Sequence, residues 1–73
     1  MQTKSDTRVR VIVNGEATGT DARTLAELIA ELGFAETQVA TAVNGDFVPR
    51  SARAATALAP GDTIEIVAPR QGG

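Results

Sequence analysis

The sequence predicts an α+β domain in which one mixed β-sheet packs on a single main helix. Three observations predict it. Two Asn-Gly dipeptides, at 14–15 and 44–45, each sit between runs suited to strands. Between those hairpins lies one apolar stripe at helical spacing: Leu25, Leu28, Ile29 and Leu32. A last alternating run, 63–67, follows a Pro-Gly-Asp turn. A chain of 73 residues closes a single hydrophobic core, so all of these belong to one domain.

The polar stretch at 1–7 has no pattern and is expected to be a flexible leader. In 8–13, Val9, Val11 and Val13 alternate with Arg8 and Arg10, as a strand with one buried face requires. Asn14-Gly15 is a strong hairpin signal, because a type I′ turn needs positive φ at both central positions. Residues 16–20 are expected to return as a short polar strand.

The stretch Thr24-Leu25-Ala26-Glu27 has the form of a capping box, in which the Thr24 hydroxyl accepts from the Glu27 amide and the Glu27 carboxylate reaches back to the Thr24 amide. The four apolar residues that follow form one core-facing stripe, so a helix is expected over 25–32. Gly33 stands where a left-handed C-terminal cap belongs.

A third strand is expected over 39–43. Asn44-Gly45 would turn it into a short fourth strand at 46–48, which Pro49 ends because proline donates no ladder hydrogen bond. Residues 51–58 are a connection with room for one helical turn. Pro60-Gly61-Asp62 is turn chemistry, and in 63–67 Ile64 and Ile66 share one side while Thr63 and Glu65 share the other. Folding the sheet across the helix stripe buries both. With the last strand beside the first, the two run parallel in the sheet centre, which is the β-grasp, or ubiquitin-like, arrangement. A small ferredoxin-like fold and an open sandwich satisfy the same periodicity. The domain is expected over 8–67, with a flexible tail over 68–73.

Composition removes several classes of function. The net charge of −2 and two phenylalanines offer neither the basic excess nor the stacking surface of a nucleic-acid binder. With no cysteine and no histidine, the chain has no disulfide, no thiolate nucleophile and neither of the commonest general base and metal ligand. No apolar run approaches the roughly 20 residues of a membrane helix, and the first ten residues lack the apolar core of a signal peptide. The expectation is a cytoplasmic protein with no stably bound cofactor or metal and no nucleic-acid or membrane partner.

The chemistry therefore falls to the tail, Ala68-Pro69-Arg70-Gln71-Gly72-Gly73. Six extended residues reach roughly 20 Å. Two terminal residues without side chains pass a narrow channel and bring the carboxylate close to a nucleotide phosphate. A carboxylate ionised near neutral pH attacks the α-phosphate of ATP to give an acyl-adenylate, from which a sulfur donor displaces AMP. Gly73 is the candidate reacting residue and Gly72 the candidate for channel passage; no residue of the chain is assigned a catalytic role.

The segment Ala42-Val43-Asn44-Gly45-Asp46-Phe47-Val48-Pro49-Arg50 resembles the thiamine-biosynthesis sulfur carriers, the ThiS family. So does Leu58-Ala59-Pro60-Gly61-Asp62-Thr63-Ile64-Glu65-Ile66-Val67 with its following proline and terminal Gly-Gly. Thr24-Leu25-Ala26-Glu27-Leu28-Ile29 and Val13-Asn14-Gly15 fit the same family. The resemblance implies a β-grasp fold and a carrier whose Gly73 is adenylated by an enzyme similar to ubiquitin-activating enzymes. Sulfur would arrive by a cysteine-desulfurase route, and the thiocarboxylate would pass to thiazole synthase. The tail before the glycines, Pro69-Arg70-Gln71, is more polar than the family's usual small or apolar residues.

Two other functions suit the same terminus. The small subunit of molybdopterin synthase is also a β-grasp chain ending Gly-Gly, and a ubiquitin-like tag would join its carboxylate to lysines. A self-sufficient enzyme is disfavoured, because no nucleophile constellation is present.

The remaining candidates have plainer readings. Arg50 and Arg53 are solvated loop charges or, more sharply, a docking patch for the activating enzyme. Glu27 and Glu31 are like charges one turn apart, best taken as a solvated face. Phe47 is read as packing, with an outward aromatic that anchors a partner as the alternative. Asn14, Gly15, Asn44 and Gly45 are assigned to turns alone, and Gly61-Asp62 to a turn rather than to phosphate or metal chemistry.

Overall fold

Alternating valines put one face of the first strand into the core, and a computed structural model of the chain, describing residues 8–68, places Val11 there with 1% exposure. Strand β1 (Val9–Val13) pairs antiparallel with β2 (Glu16–Thr20). Asn14 and Gly15 form the two-residue turn with φ of 50° and 87°, the positive pair that a type I′ hairpin requires.

Helix α1 (Leu25–Glu31) starts at Thr24, whose Oγ1 accepts from the Glu27 N–H at 3.2 Å. The reciprocal half of the capping box differs from expectation. Glu27 Oε1 accepts from the Arg23 N–H at 2.7 Å, one residue beyond Thr24. The chain around Ala57 crosses the helix start here: Leu25 donates to the Thr56 carbonyl and Leu58 to the Arg23 carbonyl. The helix ends in a Schellman motif, with Gly33 at φ 84°, its N–H on the Ala30 carbonyl and the Phe34 N–H on the Ile29 carbonyl. Leu32 is the cap residue rather than part of the helix, and it is 39% exposed. The expected fourth member of the core stripe is thus lost to the turn that ends the helix.

Strands β3 (Ala40–Val43) and β4 (Asp46–Val48) form the second hairpin, with Asn44 at φ 53° and Gly45 at φ 89°. The connection contains a 3-10 helix over Arg50–Ala55, and β5 (Thr63–Val67) closes the sheet. Strand order is β2-β1-β5-β3-β4, with β5 parallel to β1 and antiparallel to β3. This is the β-grasp arrangement, and it excludes the ferredoxin-like and open-sandwich orders. The core lies between the sheet and α1 and comprises Val11, Ala22, Leu25, Leu28, Ile29, Val48, Ile64 and Ile66. The expected leader at 1–7, and the tail beyond Ala68, lie outside the described residues.

Candidate functional site

Gly72 and Gly73, the candidates for channel passage and reaction, both lie outside the described residues. The structure instead defines the strand that leads to them and the surface around its end. Strand β5 is the middle strand of five. Its burial alternates, with Ile64 and Ile66 against the helix and Thr63, Glu65 and Val67 on the opposite face.

That opposite face has no covering element among the described residues. Register places Phe47 of β4 beside Ala42 of β3, and Ala40 of β3 beside Val67 of β5. Phe47 is 69% and Val67 61% exposed, the most open of the large apolar side chains described. A strand presents alternate residues to one face, so Phe47, Ala42, Ala40 and Val67 share a face that runs to the last residue of β5, with the exposed Glu65 beside Ala42 on the same face. The sequence reading of Phe47 as packing is corrected: the ring faces outward. The local reason is the register, because Val48, its neighbour in β4, takes the inward position.

Arg53 is neither a solvated charge nor part of a docking patch. It is 3% exposed, and its guanidinium donates to the carbonyls of Glu36 and Val39 at 2.8 and 2.7 Å and to Thr41 Oγ1 at 3.1 Å. Thr41 Oγ1 in turn donates to the Val48 carbonyl at 2.8 Å. One planar fork thereby ties the loop before β3 to the 3-10 helix and to both strands of the second hairpin. Arg50 remains exposed, in a shallow depression lined by Glu36, Pro49, Arg50 and Ser51.

Glu31 has a structural partner, since it accepts from the buried Thr20 hydroxyl, whose oxygen accepts from the Ala22 N–H at 2.9 Å. The two turn asparagines also do more than turn. The Asn14 side-chain amide brackets Ile66, accepting from its N–H at 2.9 Å and donating to its carbonyl at 3.1 Å. Asn44 accepts from the Thr63 N–H and donates to Asp62 Oδ1, both at 3.0 Å. No group of three or more acidic or metal-ligating side chains forms a metal site among the described residues, and no described helix is long and apolar enough to cross a membrane.

The ThiS family model matches residues 11–73. The chain belongs to the ThiS family. Two solved relatives come from Geobacter metallireducens. The crystal structure of its thiamine biosynthesis protein (ThiS) is 30% identical, with a TM-score of 0.73, and the match covers 89% of this chain and 100% of that one. The solution structure of a thiamine biosynthesis protein from the same organism is 29% identical with a TM-score of 0.73, covering 89% of this chain and 88% of that one. No curated protein matches the chain in sequence. The ThiS match takes in Gly72-Gly73 as well as the sheet that carries them.

Proposed function

We propose that this ThiS-family chain is a cytoplasmic sulfur carrier of thiamine biosynthesis, a co-substrate of partner enzymes whose reacting group is the Gly73 carboxylate. The observation that carries this reading is the span of the family match, which runs through residue 73 on a fold whose central strand leads to that end.

A carboxylate oxygen of Gly73 attacks the α-phosphorus of ATP, and pyrophosphate leaves. The outer sulfur of a protein persulfide, supplied by a cysteine-desulfurase route, then attacks the acyl carbon and AMP leaves; a thiol reductant cleaves the resulting acyl disulfide, becoming oxidised to a disulfide itself. The product is a thiocarboxylate whose sulfur is passed to thiazole synthase. An adenylating enzyme provides the ATP site; the carrier provides the reacting atom and a surface to hold. The face of Phe47, Ala42, Ala40 and Val67 suits that docking, because it is continuous with the residue from which the tail departs.

The test is an intact mass of the protein after incubation with ATP, cysteine, a thiol reductant, an adenylating enzyme of the ubiquitin-activating class and a desulfurase. The expected result is a gain equal to replacement of one oxygen by sulfur, mapped to Gly73 and lost when Gly73 is deleted. An unchanged mass with partners proven active on another carrier would overturn the assignment. A ladder of isopeptide-linked proteins in cells would replace it with a tag function.

A further inference from the structure

The main-chain ladder between β1 and β5 runs out before β5 does. Ile12 donates to the Asp62 carbonyl and Asn14 to the Ile64 carbonyl, each at 2.9 Å, and then the chain turns away at Gly15. The next β5 residue facing that side is Ile66, whose N–H and carbonyl would otherwise have no partner from β1. The Asn14 side chain supplies both halves, with Oδ1 taking the N–H and Nδ2 donating to the carbonyl. An amide side chain thus stands in for a residue of β1, and Asn tolerates the left-handed backbone that this position requires. On the other flank, β3 pairs with Val67 through Ala40.

We infer that Asn14 is a positioning residue for the reactive terminus: its amide sets the point at which the chain leaves the sheet, and so the reach of Gly73. The part concerning catalysis rests on the carrier reading above. Gly73 stands seven positions after Ile66, a reach of at most roughly 25 Å of extended chain from the pin. A partner that grips the sheet face and receives the terminus depends on that distance. When the pin is lost, the end of β5 is held from one side only, and its ordering must be supplied on docking.

Asn44 provides a matched control, because it makes the same kind of side-chain bonds at the opposite end of β5. Asn14→Gly and Asn44→Gly both keep the left-handed turn and remove one amide. For Asn14→Gly, exchange of the Ile66 amide hydrogen is expected to speed up about tenfold relative to the global unfolding limit. KM for the carrier in adenylation is expected to rise severalfold at constant kcat. For Asn44→Gly, the Ile66 amide and KM stay as in the parent, whatever the loss in global stability. Should Asn14→Gly fail to fold, Asn14→Asp is read by KM alone, with the same rise expected: it keeps the acceptor for the Ile66 N–H but sets a carboxylate oxygen against the Ile66 carbonyl. Unchanged Ile66 exchange in the Asn14 variant, or an equal KM change in both variants, overturns the inference. A parent chain that is not adenylated at all refutes the carrier reading instead, while the exchange data still decide whether Asn14 holds the strand end.

Discussion

Arg53 Nη2 donates to the Val39 carbonyl at 2.7 Å, one residue before β3 begins. The same guanidinium reaches Glu36 and Thr41, so removing it strands several acceptors at a site with 3% exposure. Arg53→Ala is expected to destabilise the fold by about 2–4 kcal/mol. Arg53→Lys should recover little of it, because an ammonium cannot present a planar fork to three oxygens. Urea denaturation of both variants checks this, and a midpoint for the lysine variant equal to the parent's would contradict it.

Leu28 and Leu32 both belong to the apolar stripe in the sequence, but only Leu28 is fully buried. Leu28→Ala should cost about 2–5 kcal/mol through a core cavity. Leu32→Ala should cost well under half of that, given its 39% exposure. Equal shifts in the denaturation midpoints would mean that the cap residue is packed as tightly as the helix interior.

Thr20 is fully buried and its hydroxyl links the Ala22 N–H to Glu31. Thr20→Val keeps the shape and leaves that N–H without its acceptor, a loss of about 1–3 kcal/mol. In a domain of this size each kcal/mol lowers Tm by roughly 4–8 °C, so calorimetry resolves the effect.

Phe47 stands on the open face at 69% exposure. Phe47→Thr keeps a strand-favouring residue, so stability should change by less than about 1 kcal/mol. If the ring anchors the adenylating enzyme, KM for the carrier should rise about tenfold or more, the weakening that 1.4 kcal/mol produces. An unaltered KM would remove Phe47 from the docking surface.

Elements were legible where local chemistry and tertiary packing demand the same thing. Both Asn-Gly turns, the Thr24 cap and the Gly33 terminus are dictated by φ requirements and nearby donors, and each appears at its expected residue. Covering the helix stripe called for a folded sheet, but the central place of β5 was one of several strand orders that satisfy the same periodicity, and the pairing decides it. What stayed illegible depends on contacts between residues far apart in sequence. Nothing local to Arg53 signals that the carbonyls of Glu36 and Val39 will converge on it, since its neighbours Ser51, Ala54 and Ala55 are exposed. Asn14 carries a turn signal so strong that it masks the second task of its side chain, which meets Ile66 across 52 positions of chain. Phe47 and Val48 are adjacent apolar residues, and only the pairing register decides which of them turns outward.

The position of β5 between β1 and β3 has a mechanical consequence. A partner that draws the C-terminal end into a channel pulls along the axis of this strand. The hydrogen bonds on both flanks lie across that axis, so they are loaded together in shear rather than opened one after another, as they would be on an edge strand peeled sideways. Tension along β5 is therefore spread over two ladders and the amide of Asn14.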